Sequence, residues 1–132
     1  MTENPVTVSA EATVAEAAEI LRDLEIRHLP VVQNGVLVGI LSDRDLRDLD
    51  ARLLLDIEDP EVVRARFSAP VVRVMSADVI VVDPETDLSE VIGIMIETKV
   101  GAIPIIDPAT RELLGIVSYI DVLRAVQDIL TD

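Results

Sequence analysis

The chain repeats itself. His28-Leu29-Pro30-Val31-Val32, followed by Gly39-Ile40-Leu41-Ser42-Asp43-Arg44-Asp45, returns as Ala102-Ile103-Pro104-Ile105-Ile106 and Gly115-Ile116-Val117-Ser118-Tyr119-Ile120-Asp121. Duplication constrains the fold strongly, because each copy must form the same unit and bury an equivalent face. Met1 pairs with Met75, Thr13 with Asp87, Glu16 with Glu90 and Pro30 with Pro104, each 74 residues apart. Beyond a turn that is two residues longer in the second copy, Gly39 pairs with Gly115, Ser42 with Ser118 and Asp45 with Asp121, each 76 apart. Matched caps, prolines and turns are harder to obtain by chance than matched leucines. The pattern predicts two similar lobes packed together with related crevices between them. Residues 1–58 form one repeat, 59–73 a linker and 74–132 the other.

Within the first copy, Val6-Thr7-Val8 reads as a short strand. Thr13-Val14-Ala15-Glu16 is a capping-box signature, and Val14, Ala17, Ala18, Leu21 and Leu24 give the following helix one apolar face. That helix is expected to end near Glu25. Leu29–Val32 and Val36–Leu41 read as strands joined by Asn34-Gly35, a hairpin signal. A second helix is expected from Ser42 to about Ile57, with Leu46, Leu49, Leu53 and Leu54 inward. The second copy runs in the same order. A strand at Val79–Val82 precedes a capping box at Asp87–Glu90, then a helix with Val91, Ile94, Met95 and Thr98 inward. Strands at Ile103–Ile106 and Leu113–Val117 follow, and a last helix opens at Ser118 or Tyr119. In the linker, Pro60–Phe67 suits one or two helical turns that begin at Pro60 and end before Pro70.

Composition narrows the class. Half of the 132 residues are hydrophobic, which argues against disorder. One Phe, one Tyr and no Trp leave an aliphatic, β-branched core suited to buried strands. With 25 acidic and 11 basic residues the net charge is −14, which repels a nucleic-acid backbone. The absence of Cys excludes disulfides and thiol chemistry. No apolar run approaches the roughly 20 residues of a membrane span, and the N-terminal residues lack a signal-peptide pattern. A soluble, cytoplasmic protein with no membrane insertion is the expectation.

Ser42-x-x-Asp45 and Ser118-x-x-Asp121 carry the most chemistry. Each is itself a capping box at a strand-to-helix turn, which is one complete explanation. The same geometry also suits a nucleotide. First-turn N–H groups face an anion, the Ser hydroxyl adds a donor, and the carboxylate can accept both hydroxyls of a ribose. Arg44 lies beside the first helix start as a phosphate partner or a solvated charge, and Arg27 and His28 lie at the strand entry with the same two readings. In the second copy these positions hold Ile120, Gly101 and Ala102. Tyr119 there can stack on a base. The two crevices are therefore expected to be unequal, the second poorer in phosphate partners. Gly39 and Gly115 admit close approach of another backbone or line a ligand wall. No metal-ligand spacing, nucleophile elbow or Gly-rich phosphate loop occurs, so neither a catalytic nor a metal site is expected.

These motifs resemble a tandem pair of CBS domains, the arrangement called a Bateman module. The resemblance covers the chain except 59–73. It implies a mixed α/β (α+β) fold of two β-α-β-β-α repeats related by a pseudo-two-fold axis. It also implies a regulatory, non-catalytic module that binds AMP, ADP, ATP or S-adenosylmethionine in clefts between the repeats. Matched by position, Asp45 and Asp121 are its ribose-holding residues. Ser42 and Ser118 lie near sugar or phosphate, Arg27 and His28 precede the strand where phosphate contacts arise, and Val6, Thr7, Ile80 and Val81 fall in segments that contact the base. Family members commonly pair as homodimers and signal to an attached or separate effector protein. No effector domain accompanies this chain, so it reads as a stand-alone regulator or as a piece of a larger protein. The competing reading is a dimerisation scaffold that retains Ser–Asp as caps alone.

Overall fold

The computed structural model describes residues 2–47 and 59–131. Leu49, Leu53, Leu54 and the end of the second predicted helix lie outside the described residues. Two compact units emerge, and they interleave along the chain. The first lobe comprises Val6–Asn34 and Val38–Asp78, and the second comprises Met1–Pro5, Gly35–Leu37 and Val79–Asp132.

In the first lobe, strands β2 (Val8–Ser9), β3 (His28–Gln33) and β4 (Val36–Ser42) form a sheet in the order β2-β3-β4. β2 runs parallel to β3, with Val8 opposite Val31. The Asn34-Gly35 turn takes positive φ at both residues, as a tight hairpin requires. Beyond β4, Ser76 bridges antiparallel to Ile40 through reciprocal backbone bonds of 3.0 and 2.9 Å. The helix Val14–Asp23 starts at the predicted capping box: Thr13 Oγ1 accepts from the Glu16 N–H and the Glu16 carboxylate accepts from the Thr13 N–H. Its Val14, Ala17 and Leu21 are buried, but Leu24 is 52% exposed. The helix stops at Asp23, Leu24 is its C-cap, and the chain turns away at Glu25, which takes positive φ. The core joins Val8, Leu21, Leu29, Val31, Leu41 and Val71.

The helix Pro60–Ser68 starts at Pro60 with Asp59 as N-cap and ends before Pro70. Val63 and Phe67 pack with Leu46 around the buried Val14. Backbone bonds from Val14 N–H to the Ala69 carbonyl and from Val71 N–H to the Ala12 carbonyl, both 2.9 Å, fasten the segment to the first lobe.

The second lobe repeats the plan. β5 (Ala102–Ile106) and β6 (Leu113–Ser118) pair antiparallel, and β1 (Thr2–Glu3) adds to the outer edge of β6. On the other side, the strand expected at Val79–Val82 is reduced to one parallel bridge, Val82 to Ile105. It repeats the Val8–Val31 register at an offset of 74 in both partners. Similarly, the strand expected at Val6–Val8 begins only at Val8. Pro5, which has no N–H to donate, and Asn4 at positive φ make this stretch a connector from β1 to β2. The helix Leu88–Thr98 is capped by Asp87, whose carboxylate accepts from the Glu90 N–H at 2.9 Å. Val91 is buried, with Ile94 and Met95 packed on the core, whereas Thr98 is exposed and its hydroxyl donates to the Ile94 carbonyl. The helix Tyr119–Thr131 closes the lobe and buries Val122. Among the described residues, no helix is long and apolar enough to cross a membrane.

Candidate functional site

Each lobe brings its candidate residues to one end of its sheet. In the first lobe, β3 begins at His28 and β4 ends at Ser42, so both lie at that end. Parallel pairing of β2 with β3 leaves Val6 and Thr7, just before β2, at the same end. The Asp43 N–H donates to the Arg27 carbonyl at 2.9 Å, which ties the strand entry to the helical turn 43–47.

The Ser–Asp pair closes the turn. The Ser42 N–H donates to Asp45 Oδ2 at 2.9 Å, and the Asp45 N–H donates to Ser42 Oγ at 3.2 Å. This is a reciprocal capping box, so the structural reading of the motif is directly realised. It occupies Oδ2. Among the described residues, Asp45 Oδ1 has no hydrogen-bond partner. Ser42, Asp43 and Asp45 are half-buried, whereas Arg27 and Arg44 are exposed. Long cationic side chains at the rim, around a half-buried carboxylate, suit a ligand with a polar sugar and an anionic end.

His28 is also half-buried. Burial lowers its pKa from the ordinary 6.5 because it disfavours the charged ring. The Asp43 carboxylate opposes that effect, the Arg27 guanidinium reinforces it, and Asp45 opposes it more weakly. Burial thus favours the neutral ring of His28, which is held among the same groups that frame the turn.

The second lobe reproduces the frame. The Ser118 N–H donates to Asp121 Oδ2 at 2.9 Å, the Asp121 N–H donates to Ser118 Oγ at 3.3 Å, and the Ser118 hydroxyl donates to Oδ2 at 3.2 Å. The Tyr119 N–H donates to the Gly101 carbonyl at 3.0 Å, matching the Asp43–Arg27 bond of the first lobe. Ile80 and Val81 precede the Val82 bridge at the end where β5 begins, and both are half-buried. Tyr119 is 42% exposed. Beside this end lies a groove of about 420 Å³ that sequence reasoning did not anticipate, with Gly101 and Tyr119 among its lining residues. Its other walls come from the helix Leu88–Thr98 and from Val122 and Leu123. The i, i+3, i+4 spacing of Tyr119, Val122 and Leu123 was the available signal.

Gly39 belongs to the packing of the first lobe. A Cβ added there would overlap the Met75 side chain, whose Cε and Cγ lie only 3.0 Å from that position. Close approach, by a side chain rather than a backbone, explains the glycine. No group of three or more potential metal-ligating side chains gathers among the described residues.

The family model for the CBS domain matches residues 1–52 and 71–128, and the chain belongs to the CBS domain family. It is 32% identical over 125 residues to MJ0188 of Methanocaldococcus jannaschii, covering 95% of this chain but 42% of that protein. It is 31% identical to the CBS domain-containing protein YhcV of Bacillus subtilis, covering 92% and 78% of the two chains. Among solved structures, CBSX2 in complex with AMP superposes with a TM-score of 0.82 at 29% identity, covering 98% of this chain and 93% of that one. The CBS domain pair of MJ0100 in complex with 5′-methylthioadenosine and S-adenosylmethionine superposes with a TM-score of 0.74 at 26% identity, covering 95% and 93%.

Proposed function

We propose that this protein is a regulatory module that binds adenosine compounds, one at the Ser42–Asp45 end of the first lobe and one at the Ser118–Asp121 end of the second. The carrying observation is the twofold occurrence of a half-buried aspartate whose Oδ2 closes a helix cap while Oδ1 has no partner among the described residues. Ribose hydroxyls then donate to Oδ1, and first-turn N–H groups and Ser hydroxyls face the sugar or phosphate. Val6, Thr7, Ile80 and Val81 flank the base, with Tyr119 available to stack on it. Arg27, His28 and Arg44 serve a phosphate. AMP in CBSX2 and the methylthioadenosine and S-adenosylmethionine of MJ0100 support the adenosine class, which extends to ADP and ATP. The bound state is passed to a separate effector protein, and the chain acts as a homodimer in the cytoplasm without catalysing a reaction.

A second reading has its own observation. The reciprocal bonds of both caps account for Ser42, Asp45, Ser118 and Asp121 by helix capping alone, as in a dimerisation scaffold. Calorimetric titration with AMP, ADP, ATP and S-adenosylmethionine separates the two. The regulatory reading expects saturable binding at one or two ligands per chain. Asp45→Asn and Asp121→Asn should each weaken binding by about 1–2 kcal/mol. Each should cost roughly 1 kcal/mol or less in stability. Unchanged affinity in both variants, or no binding by any ligand, favours the scaffold.

A further inference from the structure

The β3–β4 hairpin turns at Asn34-Gly35, and both residues are exposed. Their φ angles are 54° and 80°, the left-handed region that Asn and Gly tolerate best. The Asn34 side-chain amide and the Gly35 N–H have no hydrogen-bond partner among the described residues. A Cβ placed on Gly35 would meet nothing within 4 Å, so the flank of the turn is open. An amide carbon thus lies next in the chain to a free backbone nitrogen, with no side chain on Gly35 to keep them apart. Asparagine is among the thermally labile residues, and this is the setting in which its side chain reacts.

Two other places in the chain lack that setting. Asn4, the other asparagine, precedes Pro5, whose nitrogen carries no hydrogen. The matched turn of the second copy opens with Asp107-Pro108, again without an N–H at the second residue. There the Asp107 carboxylate accepts from the Ala109 and Thr110 N–H groups at 2.8 and 3.3 Å.

We propose that Asn34-Gly35 is a site of spontaneous covalent modification, at which Asn34 loses ammonia through a cyclic imide and becomes aspartate or isoaspartate. The Gly35 nitrogen gives up its proton to solvent and attacks Asn34 Cγ. The new N–Cγ bond forms as the Cγ–Nδ2 bond breaks, and Nδ2 takes protons from solvent and leaves as ammonia. Water then opens the ring. Cleavage at Cγ gives aspartate, whereas cleavage at the Asn34 main-chain carbonyl carbon gives isoaspartate, whose backbone runs through the former side chain and is one methylene longer. This assignment does not depend on what the Ser–Asp sites bind.

The longer product changes what the turn can hold. Gly35–Leu37 belongs to the second lobe. The Leu113 N–H donates to the Gly35 carbonyl and the Leu37 N–H to the Arg111 carbonyl, both at 3.2 Å, around the Val36–Glu112 bridge. Turn length fixes hairpin register, so an extra backbone atom just before Gly35 displaces its carbonyl from Leu113. Both products also add a negative charge to a turn bridged to Glu112, in a chain whose net charge is −14. Loosening of this pairing therefore accumulates with the age of the molecule.

The test incubates the full folded chain at neutral and at mildly alkaline pH and follows both asparagines by peptide mass spectrometry. Asn34 should gain the mass of an amide-to-acid change, faster at the higher pH because the attacking nitrogen must first lose its proton. Isoaspartate at Asn34 is confirmed by labelling with an isoaspartyl carboxyl methyltransferase. Asn4 should stay an amide throughout. Conversion of both asparagines at the same rate, or of Asn34 only after the chain is unfolded in urea, would overturn the assignment. Hydrogen exchange reads the consequence. The Leu37 and Leu113 amides should exchange faster in the isoaspartate fraction, while the Ile40 and Ser76 amides, which bond to each other's carbonyls, keep their protection. Asn34→Asp, which adds the charge without the methylene, should raise exchange at Leu37 and Leu113 less. Unchanged exchange at those two amides in the isoaspartate fraction would overturn the consequence drawn for the bridge.

Discussion

Around Ser42 and Ser118 the backbone bonds nearly coincide: 2.9 and 2.9 Å from the serine N–H to the aspartate, and 2.9 and 3.0 Å from the next residue's N–H to the strand entry. The neighbouring residues do not. Arg27, His28 and Arg44 in one lobe correspond to Gly101, Ala102 and Ile120 in the other. The bonds that agree satisfy backbone donors at a helix start, which any sequence folding this way must satisfy. Of the residues that differ, Arg27, Arg44 and Ile120 are exposed and His28 is half-buried, where folding places weaker demands than in the core. A duplicated fold thus holds its frame fixed and leaves its rim open to divergence.

The largest test of that equivalence lies in the cores. Leu29 and Ile103 occupy matched strand positions and are both 0% exposed. Leu29→Ala and Ile103→Ala should each cost about 2–5 kcal/mol in denaturant unfolding. Hydrogen exchange should place the two losses in different lobes. A large loss in one with little in the other would show that the lobes are packed unequally.

Next comes the rim. Replacing Arg27 and His28 together by alanine should reduce AMP binding at the first-lobe site by about 1.5–3 kcal/mol, the worth of hydrogen bonds to charged groups. Adenosine, lacking phosphate, should lose less. Equal losses for both ligands would mean that these side chains support the fold and do not discriminate charge.

The helix caps give a smaller contrast. Thr13→Ala and Asp87→Ala each remove the side-chain acceptor of one first-turn N–H, at about 1 kcal/mol, with the Asp87 change the larger because a carboxylate is also lost from the positive end of the helix dipole. Thermal unfolding of the two variants ranks them, and the reverse order would show that this charge contributes nothing.

The smallest effect is a pH slope confined to the first lobe. Because the folded-state pKa of His28 is lowered, the unfolded chain binds more protons below 6.5. Stability associated with His28 is therefore present above pH 6.5 and is lost as pH falls from there toward the folded value. His28→Gln should flatten that part of the profile, whereas Ala102, its counterpart, offers nothing to titrate. An identical profile in the variant would mean that His28 reaches solvent equally in both states.

Much of this was legible in the sequence for physical reasons. Asn34-Gly35, Thr13–Glu16 and Pro60 are local signals, and local chemistry alone fixes what they do. The Ser–Asp pairs were legible as capping boxes, because three-residue spacing at a helix start fixes those bonds locally, and the same geometry is what the proposed ligand role would use. What escaped was non-local. Val79–Val82 has strand composition but finds one bridging partner, and Leu24 continues the helical period one residue past the helix. The spacing of Tyr119, Val122 and Leu123 signals one apolar wall, but the groove needs a second helix to meet it across about 25 residues of chain, which no single window encodes. The edge pairing of Thr2–Glu3 with β6 was equally invisible, since two residues carry no period.

That last pairing has a counterpart in Ser76 beside Ile40, and together they bear on how such a chain can be divided. Thr2 and Ser76 are 74 residues apart, as are other matched positions of the repeats, yet each finishes the sheet whose hairpin belongs to the opposite copy. Cut into its sequence halves, the chain would yield two pieces, each with an open sheet edge and the residues that pair with the edge of the other. The unit of inheritance and the unit of folding are therefore not the same stretch of polypeptide.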